Sequence, residues 1–204
     1  MSVPSVVVFD LGKVLVDFDY GISAAKFAAR SKMPPEQLRK ALDHSPLLYR
    51  FETGLMTNEE FAGEVCSMCG YSGTVDEFYA TFADIFSEIK PMIDMHASLR
   101  ANGVPTCIFS NTNGIAVGHI RARFPFFANF DNYVYSFEHG SMKPDVKIYS
   151  IVEKVTGFSG DKIVYIDDRA ENVEGGLKRG WRGILHETPE KTIPILREMG
   201  LPVD

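Results

Sequence analysis

The apolar run Val6-Val7-Val8-Phe9 is the feature that most restricts how this chain can fold. β-Branched and aromatic residues without polar alternation are typical of a strand buried on both faces, as in a parallel sheet covered by helices. The run ends at the carboxylate of Asp10, and Gly12 allows the backbone to turn soon afterwards. Open α/β sheets place their ligand crevices beyond the carboxyl ends of the strands. Asp10 is therefore a candidate nucleophile, with the capping of a turn as its alternative role.

Three later segments also place polar side chains directly after apolar ones, and each offers a group that phosphate chemistry needs. They are Ile108-Phe109-Ser110-Asn111, Met142-Lys143-Pro144 and Ile163-Val164-Tyr165-Ile166-Asp167-Asp168. Together with Asp10 they resemble, in the same order, the four motifs of the haloacid dehalogenase superfamily. The resemblance extends over most of the chain. It implies an α/β fold with a doubly wound, mostly parallel, Rossmann-like sheet, and a hydrolase activity.

The hydrophobic pattern divides the chain into two regions. From about Asp19 to Lys90 the apolar residues recur at helical spacing, whereas strands and helices alternate after that. We predict an α/β core from residues 1–18 and 91–204, with an inserted helical cap over residues 19–90. The segment Phe51–Thr57 is similar to a cap sequence common in the small-cap branch of the superfamily. Such caps usually close over the site and select the substrate by shape.

Several element boundaries follow from the same pattern and from capping residues. We predict helices over 75–86, 91–102, 114–123, 144–156 and 170–179, and strands over 104–109, 133–137, 163–166 and 181–185. Thr57 and Glu60 have the spacing of a capping box.

The resemblance assigns chemical roles to the strand ends. Asp10 would attack phosphorus and form an aspartyl-phosphate, an intermediate available to carboxylate nucleophiles. A divalent cation would screen the repulsion between this carboxylate and the phosphate, and Mg²⁺ prefers carboxylate and carbonyl oxygens. The implied Mg²⁺ ligands are Asp10, Asp168 and the backbone carbonyl of Gly12.

The other candidate residues would hold the phosphate or support the metal ligands. Ser110 and Lys143 are assigned to catalysis. The same two residues and the Asn111 backbone N–H are assigned to phosphate binding. Asp167 and Asn172 would orient the groups around them. Taken singly, Ser110 could form a turn, Lys143 could be a solvated surface charge and Asp168 a loop acid.

One position departs from the family pattern. Phosphatases of the superfamily usually have a second aspartate two residues after the nucleophile, which protonates the leaving oxygen, and Gly12 stands there. Slow turnover, or a preference for better leaving groups, would follow. Asp17 or Asp19 could replace the acid, although Asp19 is also a candidate helix N-cap. The same glycine occurs in the branch that includes bacterial α-glucose-1-phosphatases, which this chain resembles, and this favours a sugar phosphate.

Two alternative functions remain open. A 2-haloacid dehalogenase of the same fold also lacks the second aspartate, but it needs no metal and typically lacks the paired acids Asp167 and Asp168. A non-catalytic module could instead bind a phosphorylated ligand. Retention of Asp10, Lys143 and Asp168 favours an enzyme.

The charge and the composition of the chain limit the kinds of partner that it can bind. The net charge of −6 and the absence of a basic run argue against nucleic acid. No apolar stretch is long enough to span a bilayer, and the first residues enter a strand without a leader, so we expect a cytoplasmic protein. Cys66 and Cys69 are spaced as C-x-x-C on a helical segment without a second ligand pair, and we interpret them as buried apolar residues. The expected partner is a small phosphorylated metabolite, bound by a monomer or a homodimer.

Overall fold

The computed structural model describes residues 3–42 and 45–203. The strands are β1 (Val6–Phe9), β2 (Val16–Phe18), β3 (Phe86–Glu88), β4 (Thr106–Ser110), β5 (Asn132–Tyr135), β6 (Ile163–Asp167) and β7 (Arg182–Leu185). The helices are α1 (Tyr20–Ala28), α2 (Pro35–Leu42), α3 (Pro46–Glu52), α4 (Asn58–Cys69), α5 (Val75–Ala83), α6 (Lys90–Ala101), α7 (Gly114–Arg123), α8 (Ser136–His139), α9 (Val146–Thr156), α10 (Ala170–Leu177) and α11 (Pro189–Glu198).

Strand β1 lies at the centre of a parallel five-stranded sheet with the order β5-β4-β1-β6-β7. Its side chains alternate between two hydrophobic clusters. Val7 and Phe9 belong to one cluster and Val6 and Val8 to the other, and none of the four is accessible to solvent. The unbroken apolar run therefore reflects a strand covered on both faces.

Helices cover both faces of the sheet. Helices α6, α7 and α11 contribute Met95, Ile120 and Leu196 to the cluster of Val7, whereas α9 contributes Ile148 to the cluster of Val6. This arrangement confirms the predicted doubly wound, Rossmann-like α/β fold.

Helices α1 to α5, which lie between β2 and β3 in the sequence, bury a separate hydrophobic cluster. Its largest members are aromatic side chains, among them Phe27, Phe51, Phe61, Phe78 and Phe82. Ile115, from α7, is the member of this cluster that comes from the α/β region. The predicted division into residues 1–18 with 91–204, and 19–90, follows the same change of packing and stays a prediction.

Residues on either side of the inserted helices form a short antiparallel ladder that the sequence pattern does not reveal. Strand β2 pairs with β3, and Phe18 lies opposite Phe86. The helix predicted over 75–86 therefore ends at Ala83 instead. Three-residue strands are too short to show alternation, so tertiary pairing decided this segment.

Other boundaries differ from prediction by smaller amounts. The strand predicted to reach residue 137 ends at Tyr135, where α8 begins with Ser136. The helix predicted from Pro144 begins at Val146, because Asp145 caps it by accepting the Lys147 N–H at 3.1 Å. In the described segments, no helix combines the length and the apolar character needed to cross a bilayer.

His96 is a buried titratable group of the core. Its ring stacks on Phe130 with centroids 3.8 Å apart, and its Nε2 lies 3.2 Å from Thr106 Oγ1. Burial and the charge of Arg100 lower the pKa of His96 to about 4, against the opposing charge of Asp131. Below pH 6.5 the unfolded chain takes up a proton at His96 that the folded protein does not. The free energy of unfolding therefore has its full contribution from neutral His96 above pH 6.5 and loses it as the pH falls toward 4.

His96→Gln, which cannot titrate, should reduce this acid sensitivity. Between pH 7.5 and pH 5.0, the free energy of unfolding of the wild type should fall by about 2 kcal/mol more than that of the variant. Urea denaturation at the two pH values measures the difference. Equal losses in the two proteins would contradict the assignment.

Candidate active site

The parallel sheet gathers the predicted polar residues at one edge. Asp10 follows β1, Ser110 ends β4 and Asp167 ends β6, and these strands are direct neighbours. Asp10, Ser110, Asn111, Lys143, Asp168, Asn172 and Gly12 line one cavity of about 210 Å³. The sequence prediction thus selected residues that lie together.

Lys143 is the centre of this cluster. Its side chain is 1% exposed, and its Nζ lies 3.0 Å from Asp10 Oδ1 and 2.6 Å from Asp167 Oδ2. The same ammonium donates to the backbone carbonyl of Phe109 at 2.9 Å. Burial opposes the charged form, but the two carboxylates outweigh it, so the pKa of Lys143 is raised. Lys143 is therefore a buried cation and not a solvated surface charge.

Asn111 fixes the backbone of Lys143. Its Oδ1 accepts the Lys143 N–H at 2.8 Å and its Nδ2 donates to the Lys143 carbonyl at 3.0 Å. The family resemblance predicts that the Asn111 backbone N–H contacts phosphate. The Asn111 side chain has a further role, since it positions the backbone of Lys143. The spacing of the motifs does not indicate this role.

Asp167 is saturated with hydrogen bonds from its own surroundings. Besides Lys143, it accepts from the Tyr165 hydroxyl, from Asn172 Nδ2 at 3.0 and 3.2 Å, and from the Arg169 N–H at 2.9 Å. Burial would raise the pKa of Asp167, but Lys143, the Tyr165 hydroxyl and the Arg169 N–H overcome that effect and lower it. Asp167 is thus an ionised residue that holds Lys143, and Asn172 in turn holds Asp167.

The negative charges of Asp10 and Asp168 are less well neutralised by their surroundings than that of Asp167. Burial raises the pKa of Asp10 to about 7, and Asp167 and Asp168 add to this effect while Lys143 opposes it. Burial and the charge of Asp167 also raise the pKa of Asp168. Leu11 N–H donates to Asp10 Oδ1 at 2.6 Å. The cluster therefore holds more negative charge than Lys143 neutralises.

This donor set suits a hard divalent cation. One oxygen each from Asp10, Asp167 and Asp168 lies within 4.8 Å of the others. Since Asp167 already accepts several hydrogen bonds, Asp10 and Asp168 are the better candidate ligands. Gly12, whose carbonyl the family resemblance implies as a third ligand, lines the same cavity. Carboxylate and carbonyl oxygens are the ligands that Mg²⁺ prefers.

Ser110 is a buried residue that lines the cavity. It is 2% exposed, and its hydroxyl approaches the Asn111 carbonyl at 3.4 Å, which is long for a hydrogen bond between oxygens. A hydroxyl held this weakly can reorient toward a bound anion.

The space beside Gly12 is filled by Phe18. A Cβ added at Gly12 would lie 2.8 Å from Cε1 of the Phe18 ring. A side chain at this position would therefore require the ring to move. The Phe18 ring, and not the backbone, therefore occupies the space that the usual second aspartate would need.

Neither acid considered as its replacement lines the cavity. Asp17 is exposed and forms an ion pair with Lys13. Asp19 accepts the Gly21 N–H at 2.7 Å and caps α1, which is the alternative role that its position predicted. Glu52, at the end of α3, does line the cavity. It lies in the segment Phe51–Thr57 that resembles a family cap sequence, but that resemblance assigned no role to this residue.

The C-x-x-C cysteines lie away from this edge. Cys69 belongs to the hydrophobic cluster of α1 to α5, and Cys66 packs against it. Burial raises the pKa of both thiols. Cys69 is buried, as predicted, whereas Cys66 is only half-buried, and both thiols pack as apolar groups.

A sequence model of the haloacid dehalogenase-like hydrolases matches residues 4–180. D-ribitol-5-phosphate phosphatase from Bacteroides thetaiotaomicron is 22% identical over 86% of this chain and 88% of its own length. Acyl-CoA dehydrogenase family member 10 from Mus musculus is 25% identical over 97% of this chain, which spans only 19% of that protein. A solved structure from Bacteroides thetaiotaomicron, a HAD family enzyme in complex with magnesium and inorganic phosphate, superposes with a TM-score of 0.79. That pair is 19% identical and covers 90% of this chain and 94% of the other.

Removing the cation from the buried cluster should destabilise the fold. In Lys143→Met, Asp10 and Asp167 would face each other without compensation, so the free energy of unfolding should fall by about 3 kcal/mol or more at pH 8. Urea denaturation in the presence of a chelator measures this change. Lys147→Met, on the exposed face of the same segment, is the matched control and should change stability by less than about 0.5 kcal/mol. Similar stabilities of the two variants would contradict the role of Lys143.

Proposed function

Since the chain belongs to the haloacid dehalogenase-like hydrolases, we propose that it is a Mg²⁺-dependent phosphatase that acts on a small phosphorylated metabolite. The observation that carries the proposal is the cluster of Asp10, Asp167 and Asp168 around the ammonium of Lys143. A nucleophilic carboxylate, an anchored cation and excess negative charge are the parts needed for phosphoryl transfer.

Asp10 would act as the nucleophile. Leu11 N–H and Lys143 both hold its Oδ1, so the carboxylate has a fixed orientation and Oδ2 is the candidate attacking atom. Attack on phosphorus forms an aspartyl-phosphate and breaks the bond to the leaving oxygen. Attack of water on that phosphorus then releases phosphate and restores Asp10.

The remaining residues would hold the phosphate in line. Lys143 supplies positive charge beside the nucleophile, and the Ser110 hydroxyl and the Asn111 N–H can donate to phosphate oxygens. Asp10, Asp168 and the Gly12 carbonyl would hold Mg²⁺, which neutralises phosphate charge when bound. Asp167 and Asn172 act through Lys143, whose position they fix.

The substrate would be a small metabolite, with a sugar phosphate favoured. A second cavity, of about 260 Å³, shares Leu48, Glu52, Lys143 and Arg169 with the first. The inserted helices thus form one wall of the space beside the phosphate site, as a cap would. The relative named D-ribitol-5-phosphate phosphatase supports a sugar or sugar-alcohol phosphate.

A 2-haloacid dehalogenase is the second candidate, and one observation favours it: no acid stands two residues after Asp10. That reaction needs no metal, however, and the excess carboxylate of Asp10 and Asp168 would then lack a purpose. A module that only binds a phosphorylated ligand would equally have no use for a nucleophile buried beside Lys143.

Phosphate release from a panel of sugar 1-phosphates, sugar phosphates at primary hydroxyls and acetyl phosphate tests the proposal. Release should require Mg²⁺ and disappear with a chelator. Asp168→Asn should raise the Mg²⁺ concentration for half-maximal activity by about tenfold or more, because it removes a candidate ligand.

Asp161→Asn, an exposed acid paired with Arg182, is the matched control and should keep the wild-type Mg²⁺ dependence. Activity that survives chelation, or halide release from 2-haloacids in place of phosphate release, would overturn the phosphatase proposal. Binding of phosphorylated compounds without turnover would favour the non-catalytic module.

A further inference from the structure

We propose that Glu52, carried by helix α3, protonates the leaving oxygen and later activates the water that hydrolyses the aspartyl-phosphate. This inference rests on the proposed phosphatase function. It assigns to the inserted helices the acid that position 12 does not supply.

The packing of α3 fixes Glu52 at the cavity. The Ser45 hydroxyl caps this helix by accepting the Leu48 N–H at 3.0 Å. Phe51, next to Glu52, stacks on Phe61 with ring centroids 4.1 Å apart inside the helical cluster. Glu52 itself is half-buried and lines the same cavity as Asp10 and Asp168.

The turn after Glu52 lies directly against the α/β region. Gly54 has a φ of +70°, and a Cβ there would lie 2.0 Å from the Phe137 carbonyl oxygen. Only a glycine allows this approach of two backbones. The end of α3 therefore sits at a fixed position relative to the sheet, as a group acting on a reaction centre requires.

Elimination among the charged residues that line the cavity also leads to Glu52. Asp10 is the nucleophile, Asp168 is a candidate metal ligand and Lys143 is held between two carboxylates. The fourth, Lys13, is paired with Asp17 and donates to the Phe18 carbonyl at 2.9 Å.

Arg169 and Glu52 are the remaining charged groups. A guanidinium does not give up its proton in proteins. No hydrogen bond from another residue in the described ranges holds the Glu52 carboxyl, so Glu52 is the charged residue of the cavity that is available for proton transfer.

The surroundings of Glu52 suit that task. Burial raises its pKa to about 7, and the charge of Arg169 opposes this effect. A carboxyl with such a pKa populates both its acid and its base form near neutral pH, and both forms are needed in one catalytic cycle. This shift agrees with the role that the position of Glu52 assigns.

The proton balance of the cycle is complete. As the Asp10 oxygen bonds to phosphorus, the bond from phosphorus to the leaving oxygen breaks and that oxygen takes the Glu52 proton. The alcohol departs and Glu52 becomes a carboxylate. It then takes a proton from the water whose oxygen attacks phosphorus, the bond from phosphorus to Asp10 breaks, and phosphate leaves with both residues restored.

The test compares two substrates in Glu52→Gln, with Mg²⁺ present. For a sugar-alcohol phosphate, whose alkoxide leaves poorly, kcat should fall by about 100-fold or more because the proton donor is lost. p-Nitrophenyl phosphate needs no such proton. It should therefore give a rapid burst of about one p-nitrophenol per enzyme, followed by slow turnover, because the aspartyl-phosphate accumulates when no base activates water.

Two further variants control for position. Glu64→Gln makes the same change on an exposed residue of α4 that pairs with Arg50, and it should retain wild-type kinetics without a burst. Glu52→Asp keeps a carboxyl and should restore part of the activity on the sugar-alcohol phosphate.

Three outcomes would overturn the inference. Wild-type kcat in Glu52→Gln would exclude Glu52 from proton transfer. An equal loss on both substrates without a burst would make Glu52 a binding or structural residue. A wild-type protein that hydrolyses neither ester with Mg²⁺ would contradict the proposed phosphatase function itself, and the role of Glu52 with it.

Discussion

The buried ammonium of Lys143 is the interaction on which the edge of the sheet depends. Asp10 directly follows β1 and Asp167 ends the neighbouring strand β6, so the topology that brings these carboxylates together also makes them repel each other. Lys143 lies within 3.0 Å of both carboxylates. Removing two carboxylates from water is costly unless each has a partner. Asn111 holds the backbone of Lys143 in place, and Asn172 holds Asp167.

Two close contacts shape the region where the inserted helices meet the sheet. Gly54 approaches the carbonyl of Phe137, and the Phe18 ring occupies the space beside Gly12. Both contacts depend on the absence of a side chain. The second closes the position where related phosphatases usually carry an acid, while the first fixes the helix that ends in Glu52. Gly12, Phe18 and Glu52 line the same cavity, so the proposed acid lies in the space from which the usual second aspartate is absent.

The sequence predicts the sheet and most of its polar edge because both depend on local patterns. An apolar run such as Val6–Phe9 has one stable environment, and parallel strands bring the residues that follow them, such as Asp10 and Asp168, to one edge. The pairing of β2 with β3 and the location of Glu52 could not be predicted this way. Both arise from packing between segments distant in sequence. The hydrogen bond from Tyr165 to Asp167 was hidden for a related reason, since Tyr165 is indistinguishable from the apolar residues of its strand.

The central claim is that Asp10 forms a covalent bond to phosphorus, and trapping that intermediate tests it most directly. The enzyme would be mixed with Mg²⁺ and a radiolabelled phosphate ester, quenched in acid and digested. The account predicts a hydroxylamine-labile phosphate on the peptide that contains Asp10, and no such label in Asp10→Asn. Turnover without this label, or a label located on Ser110, would contradict it.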